Sequence, residues 1–267
     1  MLSATDICVH LGRRQILHDV KFSAAPGNLT AIVGPNGSGK TTLLKALTGE
    51  LGYTGVVLLE GEDQAHVPGT QLATRRGVLP QSVRLAFPFT VLEVVRLGLL
   101  AGIDAADDTL PEKALAHVGL SGFAGRHYHE LSGGEQQRCQ LARVLVQVWE
   151  PLRNGAPSYL FLDEPVSALD IGHQLEVMQI ARAYADAGGC VIAVMHDLNL
   201  TAMFADSVAL MKEGRLVLQA APDVVMTDQI LSDAYSCGLR VNLAPSHGRI
   251  PFLLPQVAGI TGATTQA

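Results

Sequence analysis

The 267-residue chain lacks several features that define familiar classes of protein. Its four cysteines are scattered and form no C-x-x-C pair, so the sequence indicates neither a zinc site nor a disulfide framework. We therefore expect reduced cysteines and an intracellular protein. Charged residues make up only 16% of the chain and hydrophobic residues 48%, a balance that favours an ordered globular fold over disorder.

Positive charge and long apolar runs are also scarce. The net charge of −6 gives no basic surface for nucleic acid, so no nucleic-acid partner is expected. The first residues lack the basic and apolar regions of a signal peptide. The richest apolar stretch, residues 91–103, is interrupted by Glu93 and Arg96 and falls short of the roughly 18 apolar residues that a membrane span needs. We therefore expect a cytosolic chain that only a partner would hold at a membrane.

One glycine-rich run dominates what is present. Residues 34–41 read GPNGSGKT and fit the pattern G-x-x-x-x-G-K-[ST]. The apolar run 29–33 before it predicts a buried strand, and the helical spacing of apolar residues in 42–47 predicts a helix after it. Such a turn aims free N–H groups at phosphate oxygens, which a flexible turn that merely carries a lysine would not do. The predicted phosphate-binding residues are Gly34, Pro35, Asn36, Gly37, Ser38, Gly39, Lys40, Thr41 and Thr42.

The last residues of this loop have predicted chemical roles. Lys40 can place a positive charge on the β- and γ-phosphates, and the Thr41 hydroxyl can be a ligand of Mg²⁺. The sequence therefore predicts a nucleoside triphosphate and Mg²⁺ as cofactors.

A second run ends an apolar segment in two carboxylates. Residues 159–162 predict a buried strand, and Asp163 and Glu164 follow at its carboxyl end, where open α/β sheets bind ligands. Asp163 is predicted to hold Mg²⁺, and Glu164 to orient or deprotonate the attacking water. His196 follows another apolar run and could contact the γ-phosphate, although a lone histidine can be structural. Gln81 could add an oxygen to the Mg²⁺ and water shell; an exposed loop glutamine is the alternative.

A second helix N-terminus is predicted within residues 131–138, which read LSGGEQQR. Free N–H groups and a serine hydroxyl make this helix end a second anion site. The binding residues predicted there are Ser132, Gly133, Gly134 and Glu135. One subunit thus has two phosphate-binding helix ends but one set of catalytic carboxylates. The economical interpretation is that a second copy of the chain completes each site.

Strands and helices alternate along the chain in a pattern typical of an α/β fold. Short β-rich runs fill residues 5–60, helical patterns replace them after residue 82, and α/β alternation returns at residue 159. We therefore predict a discontinuous core, a helical subdomain and a poorly ordered C-terminal tail. Their predicted bounds are 1–81 and 155–243 for the core, 82–154 for the helical subdomain and 244–267 for the tail.

In this order, the motifs resemble those of the ATP-binding-cassette ATPases. The resemblance covers roughly residues 5–220. It is carried by the loop at 34–41, Gln81, LSGGE at 131–135, LDEP at 162–165, SALD at 167–170 and His196. It implies a RecA-like phosphate-loop nucleotidase core with an antiparallel β subdomain and an inserted helical signature subdomain.

The resemblance also implies an assembly and a division of roles. A head-to-tail homodimer would sandwich two ATP molecules, each between Lys40 of one subunit and Ser132 of the other. Glu164 would be the general base, His196 the γ-phosphate sensor and Asp170 a communicator across the dimer. One departure concerns the binding of adenine. The family usually has an aromatic residue shortly before the second strand, and its ring stacks on the adenine base. Here residues 8–11 read CVHL, and His10 is the best substitute.

The cargo is suggested by two further stretches. Residues 87–98 resemble the importer branch that serves iron–siderophores, haem and cobalamin, and residues 146–157 with 169–174 look most like the haem-importer ATPases of Gram-negative bacteria. The resemblance implies two copies of a membrane permease, contacted near residues 81–99, and indirectly a periplasmic haem-binding protein. The chain would then lie on the cytoplasmic face of the inner membrane. A siderophore or cobalamin importer ATPase, or a soluble non-transport cassette protein, is the alternative.

Overall fold

A computed structural model gives the fold and describes residues 1–83, 85, 87–101, 107–243 and 255. Strands and helices alternate outside a mainly helical stretch, as the sequence predicts. The strands are β1 Leu2–Leu11, β2 Arg14–Ala24, β3 Leu29–Val33, β4 Thr54–Leu59, β5 Glu62–Asp63, β6 Arg76–Leu79, β7 Leu152–Arg153, β8 Ala156–Pro157, β9 Tyr159–Asp163, β10 Cys190–Val194, β11 Ser207–Lys212 and β12 Arg215–Ala220. The helices are α1 Lys40–Leu47, α2 Gly69–Arg75, α3 Val91–Ala101, α4 Leu110–His117, α5 Gly133–Gln147, α6 Ile171–Asp186, α7 Leu198–Phe204, α8 Pro222–Val225 and α9 Asp228–Tyr235.

A six-stranded sheet forms the centre, in the order β12-β11-β3-β10-β9-β6. All its strands are parallel except β12, which forms an antiparallel hairpin with β11. Every residue of β3, β9 and β10 is buried, which explains why these strands read as continuous apolar runs. Because parallel strands end at one edge, the residues that follow β3, β9 and β10 meet there.

The two faces of this sheet belong to different hydrophobic clusters. Leu160 and Leu162 pack with the helices α3 to α6, whereas Tyr159 and Phe161 pack with α1 and the second sheet. Alternate residues of a strand point to opposite faces, so one strand serves both clusters. The second sheet is antiparallel, in the order β2-β1-β4-β5. A parallel core with an antiparallel sheet confirms the predicted fold class.

The helical stretch contains α3, α4 and α5. Thr90 caps α3, since its hydroxyl accepts from the Glu93 N–H at 3.3 Å and its own N–H donates to the Glu93 carboxylate at 2.7 Å. Helix α3 approaches α5 closely at Gly98, where a Cβ would lie 1.9 Å from the carbonyl oxygen of Arg143. No helix within the described ranges is both long enough and apolar enough to cross a membrane.

Several elements were not predicted. Helices α2, α7, α8 and α9 are additional, as is the small hairpin β7–β8 with its turn at Asn154 and Gly155. The predicted boundary between 154 and 155 falls inside that turn, whereas α5 already ends at Gln147. The division into subdomains otherwise stays a prediction. Apart from Pro255, the predicted tail lies outside the described residues.

Candidate functional site

The predicted phosphate loop is a tight turn from β3 into α1. Gly34 has φ +146°, and a Cβ there would meet the Met211 carbonyl oxygen at 2.1 Å. Gly39 has φ +98°, and its Cβ would lie 2.8 Å from the Leu17 side chain. Both positions therefore require glycine. No side chain caps α1, so its first N–H groups stay available to an anion.

Lys40 is held over this loop by the loop's own backbone. Its Nζ donates to the carbonyl oxygens of Gly34 at 2.9 Å and of Pro35 at 3.1 Å. Burial lowers the pKa of the Lys40 ammonium, while the nearby carboxylates of Glu164 and Asp163 act in the opposite direction. The ammonium is thus a desolvated cation. A phosphate group could replace the two carbonyl oxygens as its hydrogen-bond partner.

The pair Thr41 and Asp163 fits a divalent cation. The Thr41 hydroxyl donates to Oδ1 of Asp163 at 3.1 Å, so a hydroxyl and a carboxylate oxygen lie side by side. Burial raises the pKa of the Asp163 carboxyl. Among the described residues, no cluster of three or more His, Cys, Asp or Glu could hold a metal by itself. Mg²⁺ needs no such cluster, because it binds through one or two protein oxygens plus phosphates and water. The donor set therefore suits Mg²⁺ held jointly with a triphosphate.

Glu164 and His196 are brought together from two strand ends. Nε2 of His196 lies 2.6 Å from Oε1 of Glu164. Glu164 has φ +55°, a left-handed conformation that is uncommon outside glycine and clusters at functional sites. Its side chain is only 14% exposed, whereas that of His196 is 44% exposed. A carboxylate in this place could accept a proton from a water that attacks the last phosphate.

One cavity of about 380 Å³ is lined by Lys40, Thr41, Glu164 and His196, and Asp163 reaches it only through its contact with Thr41. Its lining residues are Leu11, Arg14, Ile16, Asn36, Gly37, Gly39, Lys40, Thr41, Thr42, Glu164 and His196. The structure thus brings together most of the predicted loop residues, the candidate base and the candidate sensor. It does not bring His10 there: His10 pairs with Gln15, while the next pair, Leu11 with Arg14, faces the cavity. The predicted contact of His10 with adenine is therefore not supported by this geometry.

The signature end lies outside that cavity. Ser132 caps α5, accepting from the Glu135 N–H at 3.3 Å, and its own N–H donates to the Glu135 carboxylate at 2.7 Å. The hydrogen bond from the Ser132 backbone lowers the pKa of Glu135. Gly133 and Gly134 form the first turn, as predicted. None of the four residues lines the phosphate-loop cavity, so a single chain does not unite its two anion-binding helix ends.

Two further predicted residues also lie apart from the phosphate loop. Asp170 caps α6 through the His173 N–H at 3.0 Å, and this hydrogen bond lowers the pKa of its carboxyl. Gln81 lines a separate cavity of about 170 Å³, together with Gly133 and Ser167. The structure does not bring Gln81 to the Thr41–Asp163 pair, and its contact with Mg²⁺ stays a prediction.

Gln137 is a site residue that the sequence reasoning missed. Its Nε2 donates to the carbonyl oxygen of Glu164 at 2.9 Å, and its Oε1 accepts from the Ala168 N–H at 3.2 Å. It therefore ties the signature helix to the loop that carries the candidate base. Its place in the LSGGEQQR run was the available signal.

Comparisons with known proteins agree with this geometry. The ABC transporter family matches residues 17–167. A hemin import ATP-binding protein of Jannaschia sp. (strain CCS1) is 62% identical over 267 residues, which cover 100% of this chain and 98% of that protein. A hemin import ATP-binding protein of Roseobacter denitrificans is 59% identical, covering 96% and 98%.

A solved structure extends the likeness to three dimensions. It is a dimeric post-hydrolysis state of an ATP-binding cassette bound to ADP and Pi, with a TM-score of 0.71 and 25% identity over 83% of this chain and 99% of that one. The family match spans more than half of the chain, and the curated relatives align along nearly all of it. The chain therefore belongs to the ABC transporter family.

Proposed function

We propose that this chain is the ATP-hydrolysing subunit of a bacterial haem importer. The observation that carries the proposal is the full-length similarity to hemin import ATP-binding proteins, 62% over 267 residues, in a chain whose nucleotide groups share one cavity. An iron–siderophore or cobalamin importer subunit is the second candidate, because residues 87–98 resemble that whole branch.

The cavity supports hydrolysis by positioning and charge. The N–H groups at the start of α1 and the Lys40 ammonium bind the phosphates, and Lys40 exchanges the carbonyl oxygens of Gly34 and Pro35 for phosphate oxygens. Mg²⁺, held by Thr41 and Asp163, would neutralise developing phosphate charge. Glu164 accepts the proton of the attacking water, and His196 orients that carboxylate through their 2.6 Å contact.

A second copy of the chain completes the site in this proposal. Ser132 and its neighbours lie outside the cavity that contains Lys40, and Glu135, the carboxylate in the first turn of their helix, is bound to the Ser132 N–H. A head-to-tail homodimer would bring Ser132 of one subunit to the triphosphate on the other. The ATP-binding cassette that resembles this chain was solved as a dimer. Dimer closure around ATP would then be the step that drives transport.

The surface around α3 supports a permease partner. Phe87 is 70% exposed, and Leu97 and Leu100, three residues apart on α3, are 38% and 80% exposed. Leu97 and Leu100 are neighbours on the helix surface, and adjacent exposed apolar side chains typically mark a protein contact. We propose that two permease copies bind these surfaces, which would place the ATPase at the cytoplasmic face of the inner membrane. A periplasmic haem-binding protein would act on the other side.

The test is transport by the reconstituted complex. The chain and its permease are placed in proteoliposomes with the haem-binding protein, and ATP-dependent uptake of hemin is measured beside a ferric siderophore and cobalamin. Hemin uptake that requires ATP is expected. Uptake of a siderophore or cobalamin but not hemin would establish the second candidate. Recovery with ribosomes or DNA, and no association with the permease, would contradict the transport function.

The docking surface has its own test and a matched control. Leu100→Glu should weaken association with the permease at least tenfold, because a carboxylate would be buried in an apolar contact. Val217→Glu changes a residue of β12 that is also well exposed, 55%, but lies elsewhere. Co-purification from detergent membranes compares the two variants. Equal association would remove α3 from the proposed contact.

A further inference from the structure

A groove between the helices α4, α5 and α6 lies apart from the nucleotide cavity. It consists of two adjacent cavities of about 280 and 430 Å³. His117, Ile180 and Ala183 line both of them, whereas Trp149 lines only the smaller and Arg138 only the larger. No described residue that lines either one also lines the nucleotide cavity. We call the two cavities together the α4–α6 groove.

His117 lies where the two cavities meet. It is the last residue of α4, it is exposed, and neither nitrogen of its ring hydrogen-bonds to a described residue. Imidazole is the commonest metal ligand in proteins. The described residues contain no cluster of three or more His, Cys, Asp or Glu that could hold a metal by itself. A metal that binds His117 must therefore bring most of its other ligands with it.

The walls beside His117 are apolar and aromatic. Its ring forms a T-shaped contact with Trp149, with the ring centroids 6.1 Å apart. Trp149 and Ile180 are half-buried, so part of their apolar surface is uncovered, and Leu145 and Tyr184 close the smaller cavity behind them. Sites for organic ligands typically have such walls and a few polar groups. This part of the groove suits a flat apolar ring.

Arg138 adds a cation to the wall of the larger cavity. It is only 9% exposed and forms no ion pair with any described residue. Its Nη1 donates to the carbonyl oxygens of Val118 at 3.2 Å and Gly119 at 3.4 Å, and its buried Nε has no partner. Glu176 also lines this cavity, but it is exposed to water. A buried cation without a counter-ion favours a ligand that carries a carboxylate.

We propose that the α4–α6 groove is a second functional site of this chain, and that it binds haem. The choice of ligand rests on the proposed function, in which haem is the cargo. Haem combines an apolar ring, an iron that already has four ligands and two carboxylates. In the groove, His117 binds the iron, the apolar ring edge packs against Trp149 and Ile180, and a carboxylate pairs with Arg138. The importer subunit thus has a cargo site separate from its ATP site.

Absorption spectroscopy of the full chain titrated with hemin tests the inference. Binding of an imidazole to the iron shifts the Soret band, and a dissociation constant of about 1–10 μM is expected for the wild type. His117→Ala should weaken binding at least about tenfold and remove the shift, because the iron loses its protein ligand. His66→Ala is the matched control, since His66 is exposed and does not line the groove. An unchanged shift in His117→Ala, or equal loss in both variants, would overturn the inference.

A second variant and a second ligand separate the groove from iron binding alone. Ala183→Phe places a ring in both cavities and leaves His117 and Arg138 in place, so it should weaken hemin binding. Metal-free protoporphyrin has no iron, so Ala183→Phe should weaken its binding too, whereas His117→Ala should leave it unchanged. Thermal unfolding checks that each variant is folded. If a folded Ala183→Phe variant binds both ligands as the wild type does, the groove is not the site.

ATP provides the last comparison. Since the groove and the nucleotide cavity share no described lining residue, ATP with Mg²⁺ should not displace hemin. Displacement would place hemin in the nucleotide cavity and would contradict the inference. Failure of the proposed function looks different. Uptake of a siderophore or cobalamin without hemin would contradict that function, whereas hemin uptake by a chain whose hemin binding ignores His117 would contradict only the groove.

Discussion

Two helix N-termini in this chain look alike in sequence and differ in structure. Helix α1 begins at the phosphate loop without a side-chain cap, and the charged groups around it converge on one cavity. Helix α5 begins at Ser132 with a complete capping box, in which Ser132 and Glu135 satisfy each other's backbone N–H groups. Both ends carry the positive pole of a helix dipole. The first turn of α1 has no side-chain acceptor, whereas in α5 the Ser132 hydroxyl already accepts from the Glu135 N–H.

The difference indicates separate roles for the N-termini of α1 and α5. The α1 end has a cation, metal ligands and a candidate base, so it can bind and orient a triphosphate within one subunit. At the α5 end, the described residues include no comparable lysine or Thr–Asp pair. The Ser132 hydroxyl accepts from the Glu135 N–H and can still donate its own proton to an anion. Binding at α1 and completion at α5 are thus separable, and variants can address either one.

The largest effect is expected from a substitution that removes the catalytic group at the α1 end and keeps the groups that bind the nucleotide. Glu164→Gln should lower ATP turnover roughly 10³-fold, because an amide cannot accept the proton of the attacking water. Nucleotide binding should be retained, and the ATP-bound dimer should accumulate. Phosphate release and size-exclusion chromatography measure the two effects. Glu112→Gln, an exposed carboxylate on α4, is the control and should match the wild type. Unchanged turnover in Glu164→Gln would remove Glu164 as the base.

A mixing experiment tests this comparison with two variants, each of which carries a substitution at one of the two helix N-termini. Lys40→Ala and Ser132→Ala homodimers should each lose at least about tenfold in turnover, because every site lacks one anion-binding group. In a mixed dimer, one site carries both substitutions and the other carries neither. Mixing the two inactive variants should therefore restore turnover to a substantial fraction of the wild type.

The control for that experiment is the Lys40→Ala variant alone, at the same total protein concentration. Its turnover should stay low. If the mixture of the two variants is no more active than this control, the two helix ends do not meet across a dimer. Ser132→Ala should still bind ATP as one subunit does, although loss of the cap lowers stability by about 1 kcal/mol.

The α1 end could be predicted from the sequence almost completely, because its residues lie close together in the sequence or directly follow apolar strands. The loop, its strand and its helix are contiguous, and Asp163, Glu164 and His196 each follow an apolar strand. Parallel strands place their carboxyl ends at one edge, so the topology alone brings those residues together. The signature helix was predicted for the same reason, since Ser132 and Glu135 form a capping box within four residues.

The outer end of the cavity could not be predicted, because its geometry is not local. Leu11, Arg14 and Ile16 reach the cavity through a β-bulge and through hydrogen bonds to Gly214, some 200 residues away. Without the pairing register, the sequence predicts His10 as the contact, whereas Leu11 and Arg14 line the cavity. The hairpin at Asn154-Gly155 is a different case, because Asn-Gly is a strong turn signal that the sequence did contain.

A smaller effect is expected when the packing of α5 against α3 is disturbed and α1 is left unchanged. Gly98→Ala should lower the free energy of unfolding by about 3 kcal/mol, because its Cβ would lie 1.9 Å from the Arg143 carbonyl oxygen of α5. Thermal unfolding measures the change. Gly69→Ala is the control, a helical glycine with nothing within 4 Å of its Cβ, and should be neutral or slightly stabilising. Equal stability of the two variants would mean that α3 and α5 adjust freely.

The smallest expected effect concerns the cost of keeping a buried carboxylate at the α1 end. Burial raises the pKa of Asp163, so the folded chain is less stable with this group ionised than with it neutral. Asp163→Asn should therefore raise the melting temperature of the metal-free protein at pH 7 by roughly 2 °C, while Mg²⁺-dependent turnover is lost. The sign follows from linkage, since a raised carboxyl pKa destabilises above that pKa and ceases to do so as the pH falls through it. The gain should accordingly shrink toward acid pH. A gain that is independent of pH would show that packing, and not the buried charge, accounts for it.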